Sequence, residues 1–97
     1  MPGFIAIEEA ATLMDKGALV VDVRTQAEWV EGHAEDSLFL PLHELPQRLE
    51  ELPKDRTLLM VCRSGARSEQ ATAFLLSVGY EQVFNLGPWH RNPRHQG

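Results

Sequence analysis

The strongest constraint on this chain is an alternation of two patterns. Short apolar runs at 18–23 (ALVVDV), 37–41 (SLFLP), 57–61 (TLLMV) and 81–86 (EQVFNL) are separated by segments with helical spacing. A brief, continuous apolar run is the pattern of a strand buried on both faces. Between the runs, Ile7, Ala10, Ala11 and Met14 fall on one helical face, and Gly17 suits the position just past a helix end. Thr25 stands three residues before Glu28, a capping-box spacing, in a segment that stops at Gly32. Leu45, Leu49 and Leu52 make a helical stripe over 43–52 with Pro46 in its first turn, and Ala71, Phe74, Leu75 and Val78 make another before Gly79. Strands alternating with helices imply a parallel sheet covered on both sides. Phe4–Ile5 is read as a further short strand. The expected fold is therefore α/β, with a central, mostly parallel five-stranded sheet flanked by helices on both faces. With 97 residues and no repeat, low-complexity tract or linker before residue 87, a single domain over 1–97 is expected.

Composition excludes several functions. A net charge of −5 is the wrong sign for general nucleic-acid binding. No stretch approaches the ~20 apolar residues of a membrane helix. The start, MPGFIAIEEA, has neither the basic residues nor the apolar run of a secretory signal, and one cysteine leaves no internal disulfide. A cytoplasmic protein with no nucleic-acid or membrane partner is the expectation. The histidines at 33, 43, 90 and 95 have no metal-ligand spacing beside the single cysteine, so no metal site is expected.

That cysteine, Cys62, opens the segment CRSGARS, directly after the TLLMV strand and before a helix. A lone cysteine is most often a small buried hydrophobe. Here the position argues otherwise, because parallel sheets bind ligands outside the carboxyl ends of their strands. Gly65 allows a curled backbone whose N–H groups point inward. The following helix adds its N-terminal partial charge, Ser64 and Ser68 add donors, and Arg63 and Arg67 add full charges. Such a field lowers a thiol from its usual ~8.5 and makes it a nucleophile. Elsewhere the bland readings hold: Trp29 is expected in the core, Thr25–Glu28 only as a cap, and Glu8, Glu9, Glu50 and Glu51 on solvated helix faces.

The segments VVDVRTQAEWVEGH, LPKDRTLLMVCRSGARS and LLSVGYEQVFNL resemble the rhodanese-like domain family, over about residues 5–87. The resemblance implies a thiosulfate sulfurtransferase. Cys62 would attack the outer sulfur of thiosulfate, release sulfite and hold the sulfur as a persulfide for a thiol or cyanide acceptor, with no cofactor. It implies that Arg63, Ser64, Gly65, Ala66, Arg67 and Ser68 bind the anionic donor. Asp22 and Arg24 are expected as a bracing ion pair, and His33 as support for a neighbouring loop. Related phosphatases of this fold place five residues between cysteine and arginine; the four here, 63–66, make a narrower cradle. Two alternatives share the fold: a persulfide carrier between a protein donor and a protein acceptor, and a non-catalytic regulatory module. The latter typically lacks the cysteine.

Two departures from the family pattern stand out. AEDS (34–37) replaces a Pro/Gly turn, and NLGPWHRNPRHQG replaces a glycine pair with a tryptophan-bearing helix. Residues 88–97 are therefore expected to be atypical, with Trp89 covering part of the missing surface and a mobile tail from about Arg91.

Overall fold

A computed structural model describes residues 3–94. Helix α1 (Ile7–Asp15) leads into strand β1 (Leu19–Asp22), then helix α2 (Gln26–Glu31) and strand β2 (Ser37–Phe39). A 3₁₀ segment (Leu42–Glu51) precedes strand β3 (Leu58–Cys62), helix α3 (Ala66–Ser77), strand β4 (Val83–Pro88) and a final turn at Trp89–Arg91. The strand order is β2-β1-β3-β4, and every neighbouring pair is parallel.

Among the described residues the sheet thus has four strands, not five. The expected first strand reduces to one bond, from Ile5 N–H to the Asn85 carbonyl at 2.9 Å. Helix α1 begins at Ile7, which leaves too little extended chain for a ladder.

Side chains alternate across the sheet as a pleated strand requires. Val21, Leu58, Met60 and Cys62 face α3 and the 3₁₀ segment, packed with Leu45, Ala71 and Leu75. Val20, Leu59, Val61 and Leu86 face α1, packed with Ala10 and Met14. The α1 stripe runs through Ala10 and Met14, while Ile7 is exposed because it opens the helix. Where a helix is expected over 43–52, the backbone is 3₁₀ and departs from helical geometry at Arg48 (φ −121°), two residues after Pro46. Proline lacks the N–H that an α ladder would use there.

β4 carries one extra residue. Met60 pairs with Asn85 but Val61 pairs with Gly87, so Leu86 is a bulge. After it the chain turns back over the sheet edge. Arg91 donates to the carbonyls of Leu86 (2.6 Å) and Ile5 (3.3 Å), and Asn92 donates to the Asp36 carboxylate (3.1 Å). Arg94 donates to the Asp15 carboxylate (3.2 Å), so the described part of the segment expected to be a mobile tail has several contacts with the domain; its end, with His95, lies outside the described residues.

Candidate active site

β3 delivers Cys62 to the carboxyl edge of the sheet on the face of α3, and Gly65 makes the turn into that helix. Gly65 has φ +104°, a left-handed backbone that favours glycine. A Cβ there would also meet the end of the Phe4 ring, which would have to shift. No side chain caps α3, so its first N–H groups remain available to the loop.

They are used on sulfur. The Gly65 N–H donates to Cys62 Sγ at 2.9 Å, and the Ser68 hydroxyl lies 3.4 Å from it. Burial pushes the thiol up, since Cys62 is wholly enclosed. The Ser68 hydroxyl and the backbone N–H groups of Ser68, Gly65 and Ser64 outweigh burial, leaving the pKa below its ordinary value. Among the influences that lower it, the hydrogen bonds from Ser68 and the loop amides lead, as the curled loop and its serines suggested, while the Arg67 charge also interacts with the sulfur.

Those arginines are placed differently from each other. Arg67 is held by Glu28 in a two-pronged pair at 2.7 and 2.9 Å. Glu28 is at the same time the N3 residue of the α2 capping box, accepting from the Thr25 N–H at 2.9 Å. The reading of Thr25–Glu28 as a cap only is thus corrected: the glutamate also ties α2 to the start of α3. The hydrogen bond from Arg67 is the main reason that the Glu28 carboxyl is lowered to about 2, against the opposing effect of burial. Arg63 is exposed and lines a cavity of about 260 Å³ with Arg24, Glu28, Glu31, Gly32 and Trp89. Cys62 itself does not line that cavity. Ser64 and Ala66 are exposed on the loop, and Ser68 is buried beneath it.

The support residues sit at the end of β1. Asp22 and Arg24 form a buried pair, with Arg24 Nη2 at 2.8 Å from Asp22 Oδ2 and Nε at 2.9 Å from Oδ1. Arg24 Nη2 also donates to the Gly32 carbonyl at 2.7 Å, and the Trp89 ring covers the guanidinium at 4.7 Å. Asp22, Arg24 and Trp89 thus lock the end of α2 to the last turn. His33 is not brought into this group. Its Nδ1 lies 2.8 Å from the Trp29 carbonyl and its ring stacks on Trp29 at 3.6 Å, so its contacts are local to α2.

One residue of the site was not singled out in the sequence. Asn85, in the middle of β4 and 4% exposed, bonds to Ser68, Gly65, Glu69 and Gly87. Its only sequence signal is a polar residue inside the run VFNL. Among the described residues, no group of three or more His, Cys, Asp and Glu is arranged to hold a metal ion.

A parallel sheet covered on both faces, presenting a hydrogen-bonded thiol in a strand-to-helix loop, defines a class of small α/β domains. The family model for the rhodanese-like domain matches residues 6–87. A sulfurtransferase of Allochromatium vinosum is 53% identical over 68 residues, which are 70% of this chain and 64% of that protein. The thiosulfate sulfurtransferase GlpE of Pseudomonas syringae pv. syringae is 33% identical over 79 residues, 81% of this chain and 74% of that protein. Among solved structures, a rhodanese-like domain protein from Staphylococcus aureus superposes with a TM-score of 0.78 at 26% identity, covering 95% of this chain and 91% of that one. This chain belongs to the rhodanese-like domain family, and it spans slightly under two thirds of the Allochromatium relative's length.

Proposed function

We propose that this protein is a sulfurtransferase that takes sulfane sulfur from thiosulfate onto Cys62 and passes it to a thiophilic acceptor. The observation that carries the reading is the Cys62 sulfur at the focus of the loop, with the Gly65 N–H at 2.9 Å and its pKa held down by hydrogen bonds. A thiolate is the attacking form of cysteine, so the same amides that lower the pKa raise the nucleophile's concentration. The thiolate displaces sulfite from the outer sulfur of thiosulfate: one S–S bond forms, one breaks, and the electron pair leaves on sulfite. The persulfide on Cys62 then keeps its negative outer sulfur near the inward-pointing N–H groups. Cyanide attack on that sulfur releases thiocyanate and restores the thiolate, so no cofactor is consumed. Family relatives named as sulfurtransferases, one of them for thiosulfate, support the reading.

Arg63 is the cation that meets the sulfonate in this mechanism. Arg67, which was expected to share that task, is already neutralised by Glu28. Arg63 also lines the cavity beside the loop. Because Cys62 is enclosed, loading requires a path to the sulfur to open in the loop.

The test is the intact mass of wild type and Cys62→Ser after mixing with thiosulfate, followed by cyanide. The expected result is a gain of one sulfur on wild type alone, lost to cyanide as thiocyanate forms. No gain from thiosulfate refutes the small-donor reading and leaves a carrier loaded by a protein persulfide, which the same loop chemistry serves.

A further inference from the structure

We propose that Asn85 is the positioning residue of the cysteine loop: its amide fixes Ser68 and Gly65 against Cys62 and holds the Ser68 hydroxyl hydrogen until the sulfur carries negative charge. The inference rests on the sulfurtransferase reading for its consequence in turnover, but not for its effect on the thiol.

The Asn85 amide is saturated. Its Oδ1 accepts the Ser68 hydroxyl at 2.6 Å and the Gly87 N–H at 2.9 Å. Its Nδ2 donates to the Gly65 carbonyl at 3.1 Å and to Glu69 Oε1 at 3.2 Å. The partners settle which end is which, because an N–H can only donate and a carbonyl can only accept. The bulge at Leu86 brings the Gly87 N–H round to Oδ1, so the irregularity in β4 builds this contact. The network joins β4 to both ends of the turn whose N–H groups face the sulfur.

Ser68 has one hydroxyl hydrogen and two acceptors within reach, Asn85 Oδ1 at 2.6 Å and Cys62 Sγ at 3.4 Å. With a neutral thiol the shorter bond takes it. When the sulfur becomes anionic, rotation about the Ser68 Cβ–Oγ bond moves the hydrogen onto Sγ, where the bond is charge-assisted. Asn85 Oδ1 still holds the Gly87 N–H, so the turn leaves no buried acceptor without a donor. The loop therefore accommodates both charge states of sulfur with one hydroxyl rotation and no movement of backbone. The charged groups around the thiol are held by partners or lie in solvent, and of them Arg67 also interacts with the sulfur through its charge. Arg67 on α3 is paired with Glu28 on α2, Arg24 is paired with Asp22 at the end of β1, Arg63 is exposed on the loop, and Glu69 on α3 accepts from Asn85 itself.

The experiment follows the pH dependence of Cys62 alkylation by iodoacetamide in the full chain, for wild type, Asn85→Leu and Ser68→Ala. The midpoint should rise by about one pKa unit in Ser68→Ala, which removes the donor, and by a similar amount in Asn85→Leu, where the lost placement of Gly65 and Ser68 outweighs removal of the acceptor that competes with Sγ; one unit is a roughly tenfold loss of thiolate at neutral pH. The double variant should rise further than Ser68→Ala alone, because Asn85 also holds the Gly65 turn whose N–H faces the sulfur. Sulfur loading from thiosulfate should slow about tenfold at neutral pH and recover at a pH above the raised midpoint, with KM unchanged. A merely structural asparagine would lower stability and leave the midpoint in place. An unmoved midpoint in folded Asn85→Leu overturns the proposal; if that variant does not fold, an unmoved midpoint in Ser68→Ala does so. Failure of wild type to take sulfur from thiosulfate would strike the sulfurtransferase reading alone, since alkylation reports the thiol directly.

Discussion

Glu28→Gln separates the two tasks of one side chain. Glutamine keeps the acceptor oxygen of the capping box, so the bond from the Thr25 N–H can persist, but it gives up the charge facing Arg67. The carboxyl is lowered from 4.5 to about 2, chiefly by its hydrogen bond with Arg67. Taken entirely as folding stability, that difference corresponds to roughly 3 kcal/mol at ~1.4 kcal/mol per pKa unit. The Arg67 and Glu28 side chains are 33% and 18% exposed, and screened surface pairs deliver ~0.2–1 kcal/mol, so about 1–2 kcal/mol is the expected loss. The sign follows from a depressed carboxyl pKa: the contribution is complete above the unfolded value of 4.5 and is lost as pH falls towards the folded value of about 2. Urea unfolding of both proteins, followed by tryptophan fluorescence, should show the variant's midpoint lower by ~0.5–1.5 M near neutrality. By pH 3 the gap should have closed by about half or more. Equal midpoints at neutral pH, or a gap that does not change with pH, would refute the assignment of this stability to the ion pair.

Three further changes test the frame around the loop. Gly65→Ala should cost at least ~2 kcal/mol in unfolding experiments, since the left-handed backbone is strained for alanine and its Cβ would strike Phe4. Adding Phe4→Ala should return only the part due to the collision. Asp22→Asn should cost about 3–5 kcal/mol by the same measurement, because it leaves the buried Arg24 guanidinium without its counter-charge. Arg63→Ala should raise KM for thiosulfate ~3–5-fold with little change in stability, the worth of one exposed charge contact, whereas Arg67→Ala should lower stability first.

The two central strands were legible because a strand buried on both faces must be apolar at consecutive positions, and LLMV and LVV are such runs; the edge strands are as apolar in sequence although only partly buried. Phe4 and Ile5 are apolar for another reason. Phe4 lies against the α-carbons of Gly65 and Gly87, and Ile5 enters the α1-side core, uses that a two-residue pattern does not distinguish from strand pairing. The stripe Leu45, Leu49, Leu52 correctly marked the buried side of its segment but not the backbone. Spacing of three to four residues serves an α-helix and a kinked 3₁₀ helix alike, and Pro46 decides between them locally.

The loop was legible because it is one contiguous piece of chain: strand, cysteine, glycine and helix are adjacent in sequence, so their mutual geometry follows from backbone preferences. Its partners are not adjacent. Glu28 lies 39 residues from Arg67, and Asn85 lies 17 from Ser68. Nothing in a capping box reveals that its glutamate has a second partner, and nothing in VFNL says that its asparagine meets Ser68 and the turn at Gly65. The chemical consequence is larger than the positional one. In the sequence, loop amides, serines and two arginines together looked like the source of the thiol's acidity, yet one arginine is paired with Glu28 and the other is in solvent. Water and salt weaken an exposed charge over the distance to the sulfur, whereas amide N–H groups in direct contact with it act at full strength and do not leave. The thiol is therefore governed by how tightly the turn is held, and the turn is held from β4 by a residue that carries no charge at all.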